Sequence, residues 1–543
     1  MLFYKKHFFS ITILLLLSNI IYGQSIPLGF NSLDYQLREL QLEGKISNKY
    51  SFFSRPYQAI GQIQYDSILS KIDSTFGYKN IIYTNNKKTN FQVLPVSFIT
   101  KLNTHHPYGW NQQGFIDAKG LQTYLSGGVY GRWGILSAQL IPEFVYANNP
   151  NFESTNSYGS PTKGAYKKVF PGQSYVSLAA GNVALSVSSE NMWWGPGIEN
   201  SLLMSNNAPG FLHIKLHSRG PIKTPVGNIE FSLLSGRLEE DTSVLLQVKN
   251  LTTYYYAQGN YSGYPSIPSL DSTNWRYLNA LTFSYNPKFA PSLYLGFTRV
   301  GYTYNNFLGN HGDFLQDYLP VFIGFFRSNS KYYKNDGSNT KTKQIVSISA
   351  RYLFQKSNAE LYVEYGYGDN TTNIEDLTLS IDHGAVFSAG FKKLAPLSKS
   401  KWLVLETEIT QLTQSFNNQY RGTGGDWYLY QGSYTNQSRI LGAGFGMASN
   451  MLTIKASVKE GFGRMGIVLQ RIIHSASLEP YFSENKRWID YSLGFIYAKK
   501  VKNIVIQSKT QLVHSDNYAW KINEQRFNFN SQVGFLYFLS KKH

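Results

Sequence analysis

The feature that most limits the fold is a period of two, which begins near Phe91 and runs to the end of the chain. It is plainest in FNFNSQVGFLYFLS. There Phe527, Phe529, Val533, Phe535, Tyr537 and Leu539 share one face, and Asn528, Asn530, Gln532 and Gly534 share the other. A strand projects alternate side chains to opposite sides of its sheet, so each such segment has one apolar and one polar face. LTIKASVK repeats the pattern, with Leu452, Ile454, Ala456 and Val458 on one side and Lys455 and Lys459 on the other. In ELYVEYGY the polar side carries Glu360, Tyr362 and Glu364. Two folds use this pattern: a soluble all-β protein, and a membrane barrel whose apolar face meets lipid and whose polar face lines a lumen.

Composition points to the barrel. Aromatic residues make up 16% of the 543, led by 41 Tyr and 35 Phe, and Gly numbers 46. Charged residues reach only 15%, against about 25% in soluble domains. No stretch after the first residues is apolar enough for a membrane helix, which needs about 18 residues. The start, MLFYKKHFFSITILLLLSNIIYGQS, has Lys5 and Lys6 before the apolar run Phe8 to Leu17, then Gly23. It reads as a secretory signal peptide over residues 1–23, leaving Gln24 first. The chain has no cysteine, hence neither disulfides nor a lipid-anchoring thiol.

Three regions follow: the signal, a helical region over 24–90, and an outer-membrane barrel over 91–543. In NSLDYQLRELQLEG, Leu33, Leu37 and Leu40 share a helical face, with Asn31 or Ser32 as cap and Gly44 as stop. YDSILSKID, from Tyr65, reads as a second helix. In the barrel, short Gly, Asn or Pro turns join strand-like runs at eight places. These are Arg132-Gly134, Gly181-Asn182, Thr224-Gly227, Asn286-Pro291, Gln355-Asn358, Ala395-Lys401, Ser449-Asn450 and Lys499-Asn503. Longer polar and aromatic segments, such as 240–278, 303–344 and 413–439, separate them. Short turns at one end and long loops at the other are the asymmetry of outer-membrane barrels. Eight hairpins, the final strand near 527–539 and FQVLPVSFIT from Phe91 give about eighteen strands, with GFGRMGIVLQRI, 461–472, read as part of an outer loop. Gln532, Gly534, Tyr537 and Leu539 have the spacing of a signal for the barrel-insertion machinery, although Ser540-Lys541-Lys542-His543 follows it.

Against this regular background, NMWWGPGIENSLLMSNNAPGF, residues 191–211, is anomalous: two adjacent Trp run into Gly-Pro-Gly. The preceding strand runs outward from the turn at Gly181, which places this loop at the exterior mouth or folded into the lumen from there. A lone Trp would be an interfacial girdle residue. Adjacent residues of a strand face opposite ways, so Trp193 and Trp194 cannot both be. At least one enters the barrel, where an aromatic ring can serve as a face for a sugar.

This segment, with YLYQGSYTNQSRILGAGFG at 428–446 and the amino-terminal LRELQLEGKI followed by Ser54-Arg55-Pro56, resembles the Wzi family of capsule-assembly outer-membrane proteins. The branch looks like the Bacteroidetes one, judging from the Tyr-Gly-Gln cleavage region. The second motif departs from the family pattern at Ser438, where glycine is expected. The resemblance implies an eighteen-stranded barrel closed by loops and amino-terminal helices, which holds capsular polysaccharide like a lectin. The candidate glycan-binding residues are Trp193, Trp194, Glu199, Asn206, Asn207, Arg421, Trp427 and Arg439. The rival reading is a porin, since an eighteen-stranded barrel is wide enough for water.

The net charge is +18, of which two charges leave with Lys5 and Lys6. In an exported protein this favours anionic glycans or lipopolysaccharide phosphates over nucleic acid as partners. Catalysis has little support. Glu406 and Glu408, about 7 Å apart on one strand face, have the separation of a glycosidase pair but read better as a lumen ladder beside Arg351, Lys455 and Lys459. His105-His106 lacks the further ligands of a metal site. No Gly-x-Ser-x-Gly elbow or phosphate loop is present. Neither a metal nor a cofactor is expected.

Overall fold

The computed structural model describes residues 25–30, 33–58, 65–74, 82–85, 89–152, 164–241, 275–309, 314–322, 343–367, 385–413, 434–446, 448–474 and 487–539. Eighteen strands form the wall. The first four are broken by short irregularities: β1 (Thr89–Val93, then Val96–Asn103), β2 (Gly120–Ser126, Val129–Trp133), β3 (Leu136–Leu140, Glu143–Ala147) and β4 (Tyr166–Phe170, Tyr175–Ala180). Next come β5 (Val183–Ser188), β6 (His213–Ser218, Ile222–Thr224), β7 (Gly227–Leu238), β8 (Arg276–Pro287), β9 (Leu293–Tyr304), β10 (Lys343–Phe354) and β11 (Ala359–Tyr367). The rest are β12 (Ala385–Pro396), β13 (Lys401–Gln411), β14 (Asn450–Glu460), β15 (Gly463–Ile473), β16 (Ile489–Val501), β17 (Ile504–Asp516) and β18 (Arg526–Tyr537).

Each strand is antiparallel to the next, and β18 pairs with β1 through Phe535↔Phe98 and Gln532↔Lys101, so the ladders return to their start. Such closure leaves no open edge for lipid to meet. The alternation read from sequence is the alternation of burial. Leu452, Ile454, Val458, Phe527, Phe529 and Tyr537 are exposed on the outer face, whereas Thr453, Lys459, Asn528, Asn530 and Gln532 are buried inside. An apolar exterior around a polar interior makes this an outer-membrane β-barrel.

Seven of the eight expected turns are present, at Gly134, Gly181, Val226, Phe289, Lys356, Lys399 and Lys502. The eighth is not. Asn450 opens strand β14, and the hairpin lies at Gly461-Phe462, so Gly463–Ile473 is wall strand β15 and not an outer loop. One false turn and one missed turn left the count unchanged. The reason is local: Ile440–Gly446 imitates a strand in composition but folds into the lumen, and Phe462 turns inward to pack with the amino-terminal helices.

Those helices are α1 (Asp34–Leu42) and α2 (Tyr65–Ile72). Leu33, Leu37 and Leu40 of the first pack with Ile68 and Leu69 of the second and with Phe52, Phe462, Leu536 and Phe538. This cluster lies at the short-turn end of the lumen, the periplasmic end in barrels of this kind. Gly44 ends α1 at φ +74°, and the Lys45 amide donates to the Leu40 carbonyl at 2.8 Å. The expected caps Asn31 and Ser32 lie outside the described residues, as does the signal peptide. The region up to residue 90 is not helical throughout: Ile82–Asn85 is a short strand paired with β1, whose first residue is Thr89.

Candidate functional site

The chain leaves the wall after Ser188, crosses the lumen and rejoins it at His213. The WWGPG loop is therefore luminal and does not stand at the exterior mouth. Its tryptophans form a two-residue strand against Ser54-Arg55, with Trp193↔Arg55 and Trp194↔Ser54. They face opposite ways, as adjacent strand residues must. Trp194 has no exposed surface and packs with Leu202, Leu203, Met204 and Leu278, and its amide donates to the Met204 carbonyl at 2.9 Å. The Trp193 indole N–H donates to the Gly197 carbonyl at 3.2 Å, and the Arg55 guanidinium lies 4.9 Å from its ring centroid. Gly195 at φ +119° needs glycine's conformational freedom, and a side chain at Gly197 would collide with the Asn200 carbonyl.

A wall carboxylate anchors this loop. Glu408 accepts the backbone N–H groups of Ile198 (2.7 Å), Glu199 (3.0 Å) and Asn200 (2.8 Å), and the Tyr362 hydroxyl at 2.7 Å. Its neighbour Glu406 is paired with Lys392 at 2.7 Å and accepts from the Tyr35 hydroxyl at 3.2 Å. The two carboxylates thus hold the loop and helix α1 to the wall.

The second motif meets the first inside the barrel. Ser205 donates its amide to the Leu441 carbonyl at 2.7 Å, Tyr434 its hydroxyl to the Leu203 carbonyl at 2.6 Å, and Asn436 its side-chain amide to the Pro209 carbonyl at 3.0 Å. Ser438, where glycine is expected, sits at φ +64°. Its hydroxyl bonds Glu240 at 2.9 Å and the Asp241 carbonyl at 2.8 Å, which supports a backbone shape that glycine adopts without help.

Between α1, residues 109–112, the WWGPG loop and strands β12 and β14–β18 lies a cavity of about 280 Å³. Its aromatic boundary includes Tyr35, Trp110 and Trp193, and its neutral polar boundary includes Asn111, Gln112 and Asn206. The Asn206 side-chain oxygen is buried and has no hydrogen-bond partner among the described residues. Six cations line the cavity: Arg38, Arg55, Lys392, Lys455, Arg464 and Lys509. Arg38 pairs with Glu360 at 2.8 Å, Arg55 with Asp34 at 2.9 Å, and Lys455 with Glu199. Arg464 grips both oxygens of Glu39 at 2.6 Å, and Lys459 adds a contact at 2.9 Å. Burial alone would raise the Glu39 carboxyl, but Arg464, Lys459 and Lys392 together hold it well below the usual carboxylate range.

The predicted site residues therefore divide. Trp193, Glu199 and Asn206 line the cavity. Trp194, Asn207 and Arg439 do not: Trp194 is core, Asn207 donates to the Ile440 carbonyl at 3.0 Å, and Arg439 donates to the carbonyls of Gln113 (2.8 Å) and Gly114 (3.2 Å). Their buried polar groups bind the two motif segments and residues 111–114 to one another. Arg421 and Trp427 lie outside the described residues. Tyr35, Trp110 and Lys509 were missed, because the cavity is assembled from distant segments with no shared local pattern. His106, weighed as a metal ligand, is buried with its ring 4.7 Å from that of Tyr518. Burial lowers its pKa to about 4.

The fold and its contents define a class: outer-membrane β-barrels whose lumen is filled by their own amino-terminal helices and inserted loops. The chain belongs to the capsule assembly protein Wzi family, whose model matches residues 111–459, a span that holds both loop motifs. Among solved structures it is similar to Wzi, an Escherichia coli outer-membrane protein involved in group 1 capsule assembly and described as a carbohydrate-binding β-barrel. The TM-score is 0.59 with 13% identity, covering 95% of this chain and 100% of that one, a likeness of fold. OccAB2 of Acinetobacter baumannii aligns at TM-score 0.41 and 9% identity over 83% of this chain and 98% of its own. No curated protein matches by sequence.

Proposed function

We propose that this protein holds capsular or other surface polysaccharide at the cell surface, and that the luminal cavity is where a sugar is bound. One observation carries the reading. The cavity joins aromatic rings (Tyr35, Trp110, Trp193) to side-chain amides (Asn111, Gln112, Asn206). Rings offer a face to the C–H side of a sugar, amides meet its hydroxyls, and a concave site where polar groups converge beside aromatic rings is the default place for a ligand. The Asn206 oxygen, buried and without a hydrogen-bond partner among the described residues, leaves a spare acceptor at the cavity's edge. The role in capsule assembly attached to the family supports the same reading. Against the porin alternative stands the filling of the lumen: Trp194, Leu202, Leu203, Leu278, Val300 and Ile345 form one buried apolar cluster inside the barrel. Such packing is that of a core and not of an aqueous channel.

The test is to place the purified full chain on a glycan array and, separately, in a planar bilayer. Retention on an array glycan without steady conductance is the expected pair of results. Large steady conductance without retention would replace the binding reading with the pore.

A further inference from the structure

The ion-pair network of the lumen leaves one lining cation out. Five of the six cations at the cavity have a carboxylate partner; Lys509 of β17 has none among the described residues. The acid whose charge bears on it is Glu199, and that carboxylate is bonded to Lys455. The Lys509 ammonium instead lies 5.7 Å from the centroid of Trp110, a ring that also lines the cavity. Such a contact offsets only part of what an ammonium loses on leaving water.

A second lysine stands in the same row. Lys509 is opposite Gln532 of β18, and Gln532 is opposite Lys101 of β1. Side chains at matched positions on adjacent strands share a face, so the three cross the inner wall in a line, with the outer two strands roughly 10 Å apart. Lys101 is buried, has no ion pair among the described residues, and donates to the Gln112 side-chain oxygen at 2.5 Å. That bond orients Gln112, itself a lining residue. Beside the aromatic boundary there is thus a row of two lysines that makes no ion pair among the described residues, the acids whose charge reaches it being Asp117 and Glu199.

We infer that the sugar bound here is anionic, carrying a carboxylate or phosphate that docks on Lys509 beside Trp110, with Lys101 and Gln112 behind it. A neutral sugar would leave the row as it stands, whereas an anion converts it into charge-assisted hydrogen bonds, the strong class. The inference rests on the reading of the cavity as a glycan site.

The experiment titrates the purified full chain with three oligosaccharides and follows calorimetry and tryptophan fluorescence. The probes are tetragalacturonate, the same tetramer with its carboxyl groups reduced to alcohols, and a 6-phosphorylated galactose tetramer. The acidic form should bind about tenfold or more tightly than the reduced form, the range of one charged hydrogen bond. Binding of the phosphorylated tetramer instead of tetragalacturonate assigns the anion as phosphate. In Lys509→Gln the acidic form should lose its advantage over the reduced form, and Lys509→Arg should keep it. Independently of any variant, added salt should erode the preference of the native chain. Equal binding of acidic and reduced forms, unmoved by Lys509→Gln, overturns the anionic sugar and leaves the glycan reading intact. Binding of no tetramer at all overturns both.

Discussion

Trp193 and Trp194 are neighbours in the chain and lie on opposite faces of one two-residue strand: Trp193 lines the luminal cavity, and Trp194 lies fully buried in the core beside it. This division predicts different outcomes for the same substitution. Trp194→Ala should lower stability by about 3–5 kcal/mol, as large-to-small changes in cores do. Trp193→Ala should lower it less and release more polysaccharide. The measurements are thermal unfolding of the purified variants and cell-bound against shed capsule. If Trp193→Ala sheds no capsule while Trp194→Ala does so without a change in melting, the assignment of the two rings is reversed.

Glu39 predicts a pH dependence. Its carboxyl is held below the ordinary range by Arg464, Lys459 and Lys392, against the opposing effect of burial. A depressed folded-state pKa adds stability that is complete above the unfolded value, about 4.3, and is lost as pH falls from there toward the folded value. Glu39→Gln should therefore cost most near neutral pH, on the order of 3–5 kcal/mol for a buried pair broken on one side. The gap in melting temperature between native chain and variant should narrow as pH falls below about 4.3. A gap that widens in acid would contradict the sign.

The closing seam predicts an asymmetry between two neighbouring positions. Phe535 faces outward opposite Phe98, whose ring centroid is 6.4 Å away, while Gln532 faces the lumen. Phe535→Arg should impair assembly, because arginine on the lipid face costs up to about 1 kcal/mol near the interface, where Phe535 sits two residues before the strand ends. Gln532→Arg should be milder. Heat-resistant migration on gels reads both, and equal assembly of the two would mean that the inward and outward faces have been exchanged.

The amino-terminal helices predict an electrical effect. Deleting residues 25–85 removes the cluster that joins Leu37 and Leu40 to Ile68, Phe462 and Phe538 at the short-turn end. Conductance of the inserted barrel should rise. Unchanged conductance in a correctly inserted barrel would show that these helices do not obstruct the lumen.

The barrel was legible in the sequence because one physical rule, lipid outside and polar groups inside, acts on every strand, and the inward direction of Lys455, Glu408 and Gln532 follows from it. What the wall's residues meet inside is not periodic. The Gly461-Phe462 hairpin was missed because Phe462 answers to the helices below it. The WWGPG loop was recognised as special, but its lumen position depends on a partner at Glu408, some two hundred residues away in the chain. Tyr35, Trp110 and Lys509 carry no local mark, because a site drawn from a helix, a loop and several strands exists only after folding.

Glu408 holds the loop by three main-chain amides, and main-chain amides are supplied by any residue except proline. Attachment and recognition are thereby separated at single positions: the Glu199 backbone is fixed to the wall while the Glu199 side chain borders the cavity. Among relatives, side chains at 198 and 199 can drift, and with them the sugar preferred, without loosening the loop, whereas the Asn200 side chain is itself bonded to Glu408 and Thr410. Position 408 has no such freedom. The arrangement gives evolution a constant mount for exchangeable contacts, and divergence in glycan preference should accumulate in the loop while the residue that holds it stays a glutamate.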